Sequence, residues 1–337
     1  MSAATRILVI RLSSIGDIVL TTPVVRALKN QLEGEVDIHY LVKNKFSNIV
    51  LTNPYITRIH TFEKTVQEVL PELEKIGFDY IIDLHNNIRS TIVKRRLKSL
   101  AFTFRKLNFQ KWLLVNFGIN RMPDLHIVDR YMETLKAFGV KDDGKGLDYF
   151  IPEGTQVNEL PEKFRDGYVA LSISAMHIGK SMSAETLLSI CMSGYPVVLL
   201  GAGDEDYYTG EYLVGKAGDL VYNACNSFSI HQSALCIREA RVVVSGDSGM
   251  MHIASAFQKK IVSVWGCTSP LLGMYPYRPH PESIMIEPHD RNKRPCSKLG
   301  DRCKYATKDK LGRLQNLCID TIQGAEINAA IEKLWAL

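Results

Sequence analysis

Residues 6–17 read RILVIRLSSIGD, an apolar run followed by a short polar turn. An apolar run of this length is typical of a strand buried on both faces of a parallel sheet. Ser13 and Ser14 are residue types that favour the N-terminal cap of a helix, and Gly16 allows the backbone to approach a neighbour closely. The pattern predicts a strand, a tight turn and a helix that runs to about Gln31.

Asp17 falls in the first turn of this predicted helix. The free amides and the dipole of a helix N-terminus favour an ionised carboxylate. Since ligands of open parallel sheets bind at the carboxyl ends of the strands, Asp17 is a candidate general base. The alternative is that it only stabilises the start of the helix, which is common for an acidic residue there.

Short apolar runs alternate with helical spacing along the whole chain, which predicts an α/β protein with parallel sheets. Further strands are predicted at Val36–Val42, Arg58–Phe62, Asp79–Leu84, Ala101–Phe104, Tyr168–Ile173, Pro196–Leu200, Arg241–Ser245 and Lys260–Trp265. Residues 143–162, rich in Gly, Pro and charge, are predicted to link two domains. We expect two Rossmann-like, doubly wound domains that face each other across a cleft, 1–155 and 156–320, and a C-terminal helix within 321–337 that packs on either half.

The bulk properties exclude several classes of protein. A chain of 337 residues is too long for one small core, which favours two domains. No apolar run reaches the roughly 18–20 residues of a membrane span, and the N-terminus lacks the apolar segment of a secretory signal. Seven cysteines, an odd number, favour reduced thiols over a disulfide framework. A cytoplasmic protein is therefore expected.

Residues 242–256 read VVVSGDSGMMHIASA, the pattern of a strand, a tight turn and a helix. Asp247 or Ser248 is expected to cap this helix. The amides of residues 248–251 then form an anion site suited to a diphosphate. The alternative is a well-capped helix with a buried histidine. The candidate anion-binding residues in this segment are Asp247, Ser248, Gly249, Met250 and His252.

Polar residues after two other strands extend this candidate anion site. Thr268 and Ser269 follow the strand that ends near Trp265 and are expected to contact phosphate. Residues 204–206 read DED at the start of another helix, where Glu205 is the candidate for bonding a ribose hydroxyl. The alternatives are a D-x-D motif that holds a divalent metal, or acidic residues that only favour the helix start.

A basic segment lies between Asp83 and Asp124, with nine basic residues, no acidic residue and interleaved aromatic residues. It is typical of a surface that contacts an anionic membrane or an acidic ligand. Asn86 and Arg89 follow the end of a strand and are candidates for binding such a ligand. The alternative is a solvated basic face with its aromatic residues in the core. Nucleic acid is not expected, because no nucleic-acid-binding motif accompanies the charge.

Two motifs, one in each half of the chain, resemble those of a known family. Residues 10–23 read IRLSSIGDIVLTTP, residues 246–256 read GDSGMMHIASA and residues 265–270 read WGCTSP. Together they resemble glycosyltransferase family 9, the lipopolysaccharide heptosyltransferases, over nearly the whole chain. The resemblance implies the GT-B fold and an inverting transfer of heptose from ADP-heptose to the Kdo/heptose inner core of lipopolysaccharide, including lipid A–Kdo acceptors, at the inner face of the cytoplasmic membrane.

The resemblance also implies roles for individual residues. Asp17 matches the catalytic base, and Lys180 falls where the family carries a lysine near the donor phosphates. Ser13, Ser14 and Gly16 match the loop that lines the reaction centre, on the acceptor side. Asp247, Ser248, Gly249 and His252 match the donor-binding turn. No cofactor and no metal are expected, because a helix N-terminus and a lysine can neutralise the departing nucleotide.

Three alternatives to this function were open from the sequence. Family members usually read Lys-x-Trp-Pro where residues 180–183 of this chain read KSMS. The first alternative is therefore a GT-B transferase that uses another nucleotide sugar on a cell-envelope glycolipid. A nicotinamide-dependent oxidoreductase would need G-x-G-x-x-G after the first strand, where this chain has one glycine. A non-enzymatic sugar-nucleotide or lipid-binding protein is disfavoured by the presence of Asp17.

Cys296, Cys303 and Cys318 have a spacing that matches no common zinc pattern. We expect them to pack a loop, and the alternative is that they bind a metal together with His280 or His289. The other cysteines are expected to be inert residues in or beside the core: Cys191, Cys225, Cys236 and Cys267.

Overall fold

The computed structural model describes residues 4–157, 160–289, 292, 294–310, 312 and 314–337. The chain divides into two compact units. The N-terminal unit comprises Met1–Lys106 and Leu125–Phe150, and the C-terminal unit comprises Leu107–Asp124 and Ile151–Leu337. Each unit contains one parallel β-sheet whose strands are connected through helices, which confirms the predicted α/β class.

The sheet of the N-terminal unit has five parallel strands, and each overlaps a predicted strand. They are β1 (Thr5–Ile10), β2 (Val36–Lys43), β3 (Arg58–Phe62), β4 (Tyr80–Asp83) and β5 (Leu100–Thr103). Their order across the sheet is β3-β2-β1-β4-β5. Residues 7–10 of the central strand are fully buried, as its continuous apolar run predicts.

The sheet of the C-terminal unit has six parallel strands in the order β11-β10-β9-β6-β7-β8. They are β6 (Val169–Ser172), β7 (Val197–Leu200), β8 (Val221–Asn223), β9 (Val242–Gly246), β10 (Ile261–Val264) and β11 (Ile284–Ile286). A small antiparallel pair follows, β12 (Thr307–Lys308) and β13 (Leu314–Gln315). The two edge strands β8 and β11 were not predicted, because three residues carry too little periodicity to be recognised.

Eleven α-helices lie in the described part of the chain. They are α1 (Ile15–Val19), α2 (Thr22–Gln31), α3 (Leu70–Ile76), α4 (Ile88–Leu97), α5 (Asn108–Phe117), α6 (Ile127–Met132), α7 (Ala184–Cys191), α8 (Asp204–Ala217), α9 (Ile230–Glu239), α10 (Gly249–Ala256) and α11 (Gly324–Ala336). Short 3₁₀ turns, among them Ile178–Lys180, complete the connections.

The prediction of one continuous helix after β1 is wrong, since α1 and α2 are separate. The Thr21 hydroxyl donates to the carbonyl of Ile18 over 2.7 Å. The Thr22 hydroxyl donates to the carbonyl of Val19 over 2.8 Å. Pro23, in the first turn of α2, has no amide hydrogen with which to continue α1. These local bonds end α1 after a single turn.

The predicted linker, residues 143–162, begins inside the N-terminal unit. The buried Arg26 of α2 donates to both carboxylate oxygens of Asp143, over 2.7 and 2.8 Å, and forms an ion pair with Asp148. It also donates to the carbonyl of Gly146 over 2.9 Å. A buried guanidinium with this many acceptors fixes residues 143–148 against α2, so they are part of the folded unit.

The C-terminal helix packs on the C-terminal unit. Ile327, Ile331 and Leu334 of α11 are buried in the core of that unit with residues of its sheet and of α7. The side chain of Asn328 donates to the carbonyl of Ser189 in α7 over 3.0 Å. The sequence did not indicate which domain the C-terminal helix packs on. In the structure it packs on the C-terminal unit.

Each sheet has a point at which its strand order reverses, and ligands of such sheets bind at the carboxyl ends of the strands there. In the N-terminal unit this point lies between β1 and β4, which are hydrogen-bonded neighbours. In the C-terminal unit it lies between β6 and β9. The segments that follow these four strands contain Asp17 (in α1), Asn86, Lys180 (in the 3₁₀ turn Ile178–Lys180) and Asp247.

Candidate active site

Asp17 forms an ion pair with Arg11, with 2.6 Å between Oδ1 and Nη2. Its other oxygen accepts hydrogen bonds from the amide of Ser14 (3.2 Å) and the hydroxyl of Ser14 (3.0 Å). Burial alone would raise the pKa of Asp17, but the Arg11 charge and the two Ser14 bonds outweigh it and hold the pKa below its usual range. The side chain keeps 21% of its surface exposed, so an ionised carboxylate remains accessible.

Arg11 holds the floor of this site together. Besides Asp17, its guanidinium donates to the carbonyl of Ser13 (2.9 Å), the carbonyl of Leu84 after β4 (2.5 Å) and the hydroxyl of Tyr131 in α6 (2.9 Å). The side chain is 8% exposed. In the sequence, Arg11 is recognisable only as the end of a strand. Because α1 has a single turn, we assign the ionised state of Asp17 to Arg11 rather than to a helix dipole.

The loop after β4 is organised by the buried carboxylate of Asp83. It accepts from the amides of His85 (3.0 Å) and Asn86 (2.8 Å) and from the hydroxyl of Ser90 (2.9 Å), and it pairs with Lys94 (2.8 Å). These bonds fix the backbone next to the Asp17 loop, since β4 is the neighbour of β1. A buried carboxylate with four partners is a rigid anchor for the residues it holds.

The two predicted acceptor residues in this loop differ in their surroundings. The side-chain nitrogen of Asn86 donates to the carbonyl of Phe104 over 2.9 Å, which connects the ends of β4 and β5. Asn86 therefore has a structural role in the free protein. Arg89 lies in the first turn of α4 and is exposed. Its guanidinium is accessible for an anionic ligand.

His85 is a residue of this site that the sequence analysis missed. Burial, with the positive charges of Arg11 and Lys106, lowers the pKa of its imidazole to about 4. The ring is therefore neutral at physiological pH. Its Nδ1 is buried and has no hydrogen-bond partner within the described residues. His85 therefore places a neutral polar group near the ionised Asp17.

The turn between β9 and α10 leaves the start of the helix open. Ser248 occupies the N-cap position, but its hydroxyl lies 2.9 Å from that of Ser245, and no side chain caps the helix. Ser248 therefore takes the N-cap position expected for it or Asp247, but its side chain makes no hydrogen bond to the helix amides. The first amides of a helix have no acceptor within it, so the uncapped start of α10 can receive an anion.

Lys180 and Asp247 meet across the switch point of the C-terminal unit. Lys180 Nζ lies 2.8 Å from a carboxylate oxygen of Asp247, and the two side chains are 16% and 11% exposed. Gly246 is needed for this approach, because a Cβ atom there would lie 2.9 Å from the carbonyl oxygen of Lys180. The structure thus brings a lysine, which the sequence placed by resemblance alone, next to the α10 turn.

Three more of the residues predicted to bind the donor lie in α10 or just after β10. Thr268, after the neighbouring strand β10, is fully buried, and its hydroxyl has no hydrogen-bond partner in the described part of the chain. His252, in α10, is 2% exposed. Met250 is partly exposed in the first turn of α10. His252 and Met250 thus lie in the helix that follows Asp247, and Thr268 follows the strand next to β9.

Glu205 lies farther along the same edge of the sheet. It is exposed in the first turn of α8, after β7, which is separated from β9 by β6. Two strand spacings put these strand ends about 10 Å apart. Asp206, in the same triplet, accepts from the amide of Ala202 over 2.8 Å and so stabilises the turn. Within the described residues the triplet forms no cluster suited to a metal ion.

Two Rossmann-like sheets, each with polar loops at its switch point, form the architecture of the GT-B glycosyltransferases. The chain belongs to glycosyltransferase family 9 (heptosyltransferase), whose sequence profile matches residues 67–306. This match confirms the resemblance carried by the two motifs. The protein is therefore a glycosyltransferase of the heptosyltransferase family.

Similar proteins cover almost the full length of the chain. Lipopolysaccharide heptosyltransferase 1 of Campylobacter coli is 23% identical over 359 residues, which span 98% of this chain and 99% of that protein. A glycosyltransferase family 9 structure from Veillonella parvula has a TM-score of 0.74 at 20% identity and covers 98% and 97% of the two chains. E. coli heptosyltransferase WaaC with ADP has a TM-score of 0.68 at 18% identity and covers 98% and 100%.

Proposed function

We propose that the protein transfers heptose from ADP-heptose to the Kdo/heptose inner core of lipopolysaccharide, with inversion at the anomeric carbon. The observation that carries the proposal is the accessible, ionised carboxylate of Asp17 at the switch point of one sheet. The open start of α10 beside Lys180, at the switch point of the other sheet, supports it as the site for a diphosphate. The E. coli relative solved with ADP supports an adenine nucleotide as the donor.

Asp17 acts on the acceptor. Its free oxygen lone pairs accept the proton of the acceptor hydroxyl while the hydroxyl oxygen forms a bond to the anomeric carbon of the donor. The bond from that carbon to the phosphate oxygen breaks, and ADP leaves with the electron pair. Arg11 and Ser14 keep Asp17 ionised for this step. The acceptor is held in place for this step by the Ser13–Gly16 loop, Asn86 and Arg89.

Lys180 and the first amides of α10 act on the departing ADP. The ammonium group and the N–H groups are fixed before the reaction, so they stabilise the developing negative charge without reorganising. Fixed donors of this kind contribute on the order of 3 kcal/mol each in a water-excluded site. Asp247 orients Lys180, and Glu205 binds a ribose hydroxyl of the nucleotide.

A donor and acceptor panel tests this proposal. The purified protein is incubated with ADP-heptose, or with other ADP-, UDP- and GDP-sugars, in the presence of Kdo-terminated or heptose-terminated lipid A, and nucleotide release is measured. We expect release of ADP from ADP-heptose that depends on the acceptor and needs no added divalent cation. Release only from a different nucleotide sugar would replace the donor by the GT-B alternative. Binding without release from any donor would favour a non-catalytic protein.

A second proposal concerns the exposed face of α5. Phe109, Trp112 and Phe117 are 66%, 44% and 61% exposed, whereas Leu114 and Val115 of the same helix are buried. The Phe109 and Trp112 rings stack with centroids 6.1 Å apart. No helix of the described residues is long and apolar enough to span a bilayer. We propose that this aromatic face, within the basic segment, binds the anionic membrane surface that carries the acceptor.

We expect the double variant Phe109→Ser, Trp112→Ser to lose membrane binding by about tenfold or more, because each ring buries apolar area worth roughly 1.5–3 kcal/mol. Cosedimentation with vesicles of phosphatidylcholine and phosphatidylglycerol measures it, and pure phosphatidylcholine vesicles should bind less. Tyr208→Ser is the control, since Tyr208 on α8 is 70% exposed outside this face. Equal binding of the double variant and the wild type would refute the proposal.

A further inference from the structure

Four cysteine side chains converge in the C-terminal unit. Their sulfur atoms all lie within 4.8 Å of one another. Sγ of Cys318 lies 3.5 Å from Sγ of Cys296 and 3.5 Å from Sγ of Cys303, and the last two are 3.9 Å apart. Cys267, which follows β10, completes the group. A tetrahedral ion with metal–sulfur bonds of about 2.3 Å needs sulfur atoms about 3.8 Å apart, which these distances approach.

We propose that Cys267, Cys296, Cys303 and Cys318 bind one tetrahedral thiophilic metal ion, Zn²⁺ or iron. Four thiolates are the ligand set that such ions prefer. The spacing between the sulfurs leaves room for one ion. All seven cysteines of the chain are free, so no disulfide accounts for the convergence.

The surroundings fit a structural site. Cys267, Cys296 and Cys318 are fully buried, and Cys303 is partly buried, so water has little access to the centre. Four thiolates and a divalent ion carry two net negative charges. Residues 294–304 contain four basic residues and one acidic residue, which offsets that charge locally.

No metal was expected from the sequence, in which only three of these cysteines were candidate ligands: Cys296, Cys303 and Cys318. The fourth ligand, Cys267, precedes Cys296 by 29 residues and looked like an inert residue at a strand end. The alternative partners have other contacts. His289 pairs with Glu326 over 3.1 Å, and Nδ1 of His280 accepts from the amide of Glu282 over 3.3 Å. Neither histidine belongs to the cluster.

The cysteine cluster is fastened to the loop that carries Lys180. The Cys267 amide donates to the carbonyl of Gly179 over 2.7 Å, and the Gly179 amide donates to the carbonyl of Gly300 over 3.0 Å. The Cys296 amide donates to the carbonyl of Cys267 over 2.7 Å. A Cβ atom on Gly179 would lie 2.6 Å from the Gly300 oxygen, so the two loops are in direct contact. The metal would therefore position Lys180, a consequence that rests on the proposed function.

Metal analysis of the full-length protein, purified without chelator, tests the site. We expect about one zinc or iron ion per chain by elemental analysis. Iron would give visible thiolate charge-transfer absorption, and zinc would give none until Co²⁺ replaces it. The metal content of Cys303→Ser and of Cys318→Ser should fall well below half an ion per chain. Cys191→Ala, which replaces a buried cysteine outside the cluster, should keep the wild-type metal content. Metal content that is negligible in the wild type, or unchanged in Cys303→Ser, would overturn the proposal.

Two further readouts keep the test decisive if a variant does not fold. In the wild-type protein, alkylation followed by mass spectrometry should find the four cluster thiols protected until a strong chelator is added. Alkylation at the same rate with and without chelator, or recovery of the thiols as disulfides, would contradict the site. In the folded Cys303→Ser variant, kcat should fall by about tenfold and donor KM should rise, which is a weaker form of the pattern expected for Lys180→Met.

The two proposals fail in different ways. Loss of metal in Cys303→Ser without any change in kcat or donor KM would support the metal site but refute the inference that it positions Lys180. Absence of ADP-heptose turnover in a metal-loaded wild-type protein would refute the proposed function alone.

Discussion

Replacing Asp17 by asparagine is expected to lower kcat by about 10²- to 10⁴-fold, the range for removal of a general base. Asparagine has the same shape but cannot accept the proton of the acceptor hydroxyl. The affinity for ADP should stay within about twofold, because the proposed diphosphate site belongs to the other unit. Nucleotide release gives the rate, and calorimetric titration with ADP gives the affinity.

The control for this variant is Glu68→Gln. Glu68 accepts from the amide of Thr65 over 2.8 Å, the same local capping contact that Asp17 makes with Ser14, but it is exposed and has no role in the proposed site. It should retain wild-type activity. Loss of ADP binding together with turnover in Asp17→Asn would point to a structural role for Asp17. Full activity would remove it as the base.

Asp17→Asn should also destabilise the N-terminal unit. Arg11 would keep its three other acceptors but lose its carboxylate partner, at a cost on the order of 1–3 kcal/mol. A thermal denaturation curve therefore has to show that the variant is still folded at the assay temperature. With that check, a loss of rate is assigned to chemistry rather than to unfolding.

The ionisation of Asp17 also fixes a pH dependence. Burial would raise its pKa, but Arg11 and Ser14 hold it below the usual carboxylate range, so the ionised form persists into acid solution. We expect kcat/KM to show no acidic limb from this group between about pH 5 and pH 8. A limb near neutral pH that disappears in Asp17→Asn would mean that the pKa of Asp17 is raised instead.

Replacing Lys180 by methionine is the prediction with the second largest effect. Methionine keeps much of the apolar stem and removes the charge, so kcat should fall by about 10²- to 10³-fold, as for the loss of one preorganised donor. Donor KM should rise as well, because the ammonium group meets the diphosphate in the ground state. Lys216→Met, on the exposed surface of α8, is the matched control.

The Lys180–Asp247 pair requires one more variant. In Lys180→Met the Asp247 carboxylate is left without its cation and would repel the diphosphate. The double variant Lys180→Met, Asp247→Asn removes this repulsion. We expect it to remain at least about tenfold slower than the wild type, because the donor to the leaving group is still missing. Full recovery would show that Lys180 only neutralises Asp247.

The sequence by itself determined the elements that depend on local pattern. Continuous apolar runs predicted the central strands of both sheets, and the order of strands and helices predicted the α/β class. The two glycine-containing turns, with Asp17 in one and Asp247 in the other, identified the family. These features were accessible because each lies within a dozen or so consecutive residues, where periodicity and turn chemistry act.

The tertiary structure alone decided the partners. Arg11 meets Leu84 and Tyr131, and Lys180 meets Asp247, because strand order makes β1 the neighbour of β4 and β6 the neighbour of β9. Hydrogen bonding between strands sets that order, and no local pattern encodes it. The convergence of Cys267 with the three later cysteines has the same origin, since a strand end and a distant loop meet only in the folded sheet.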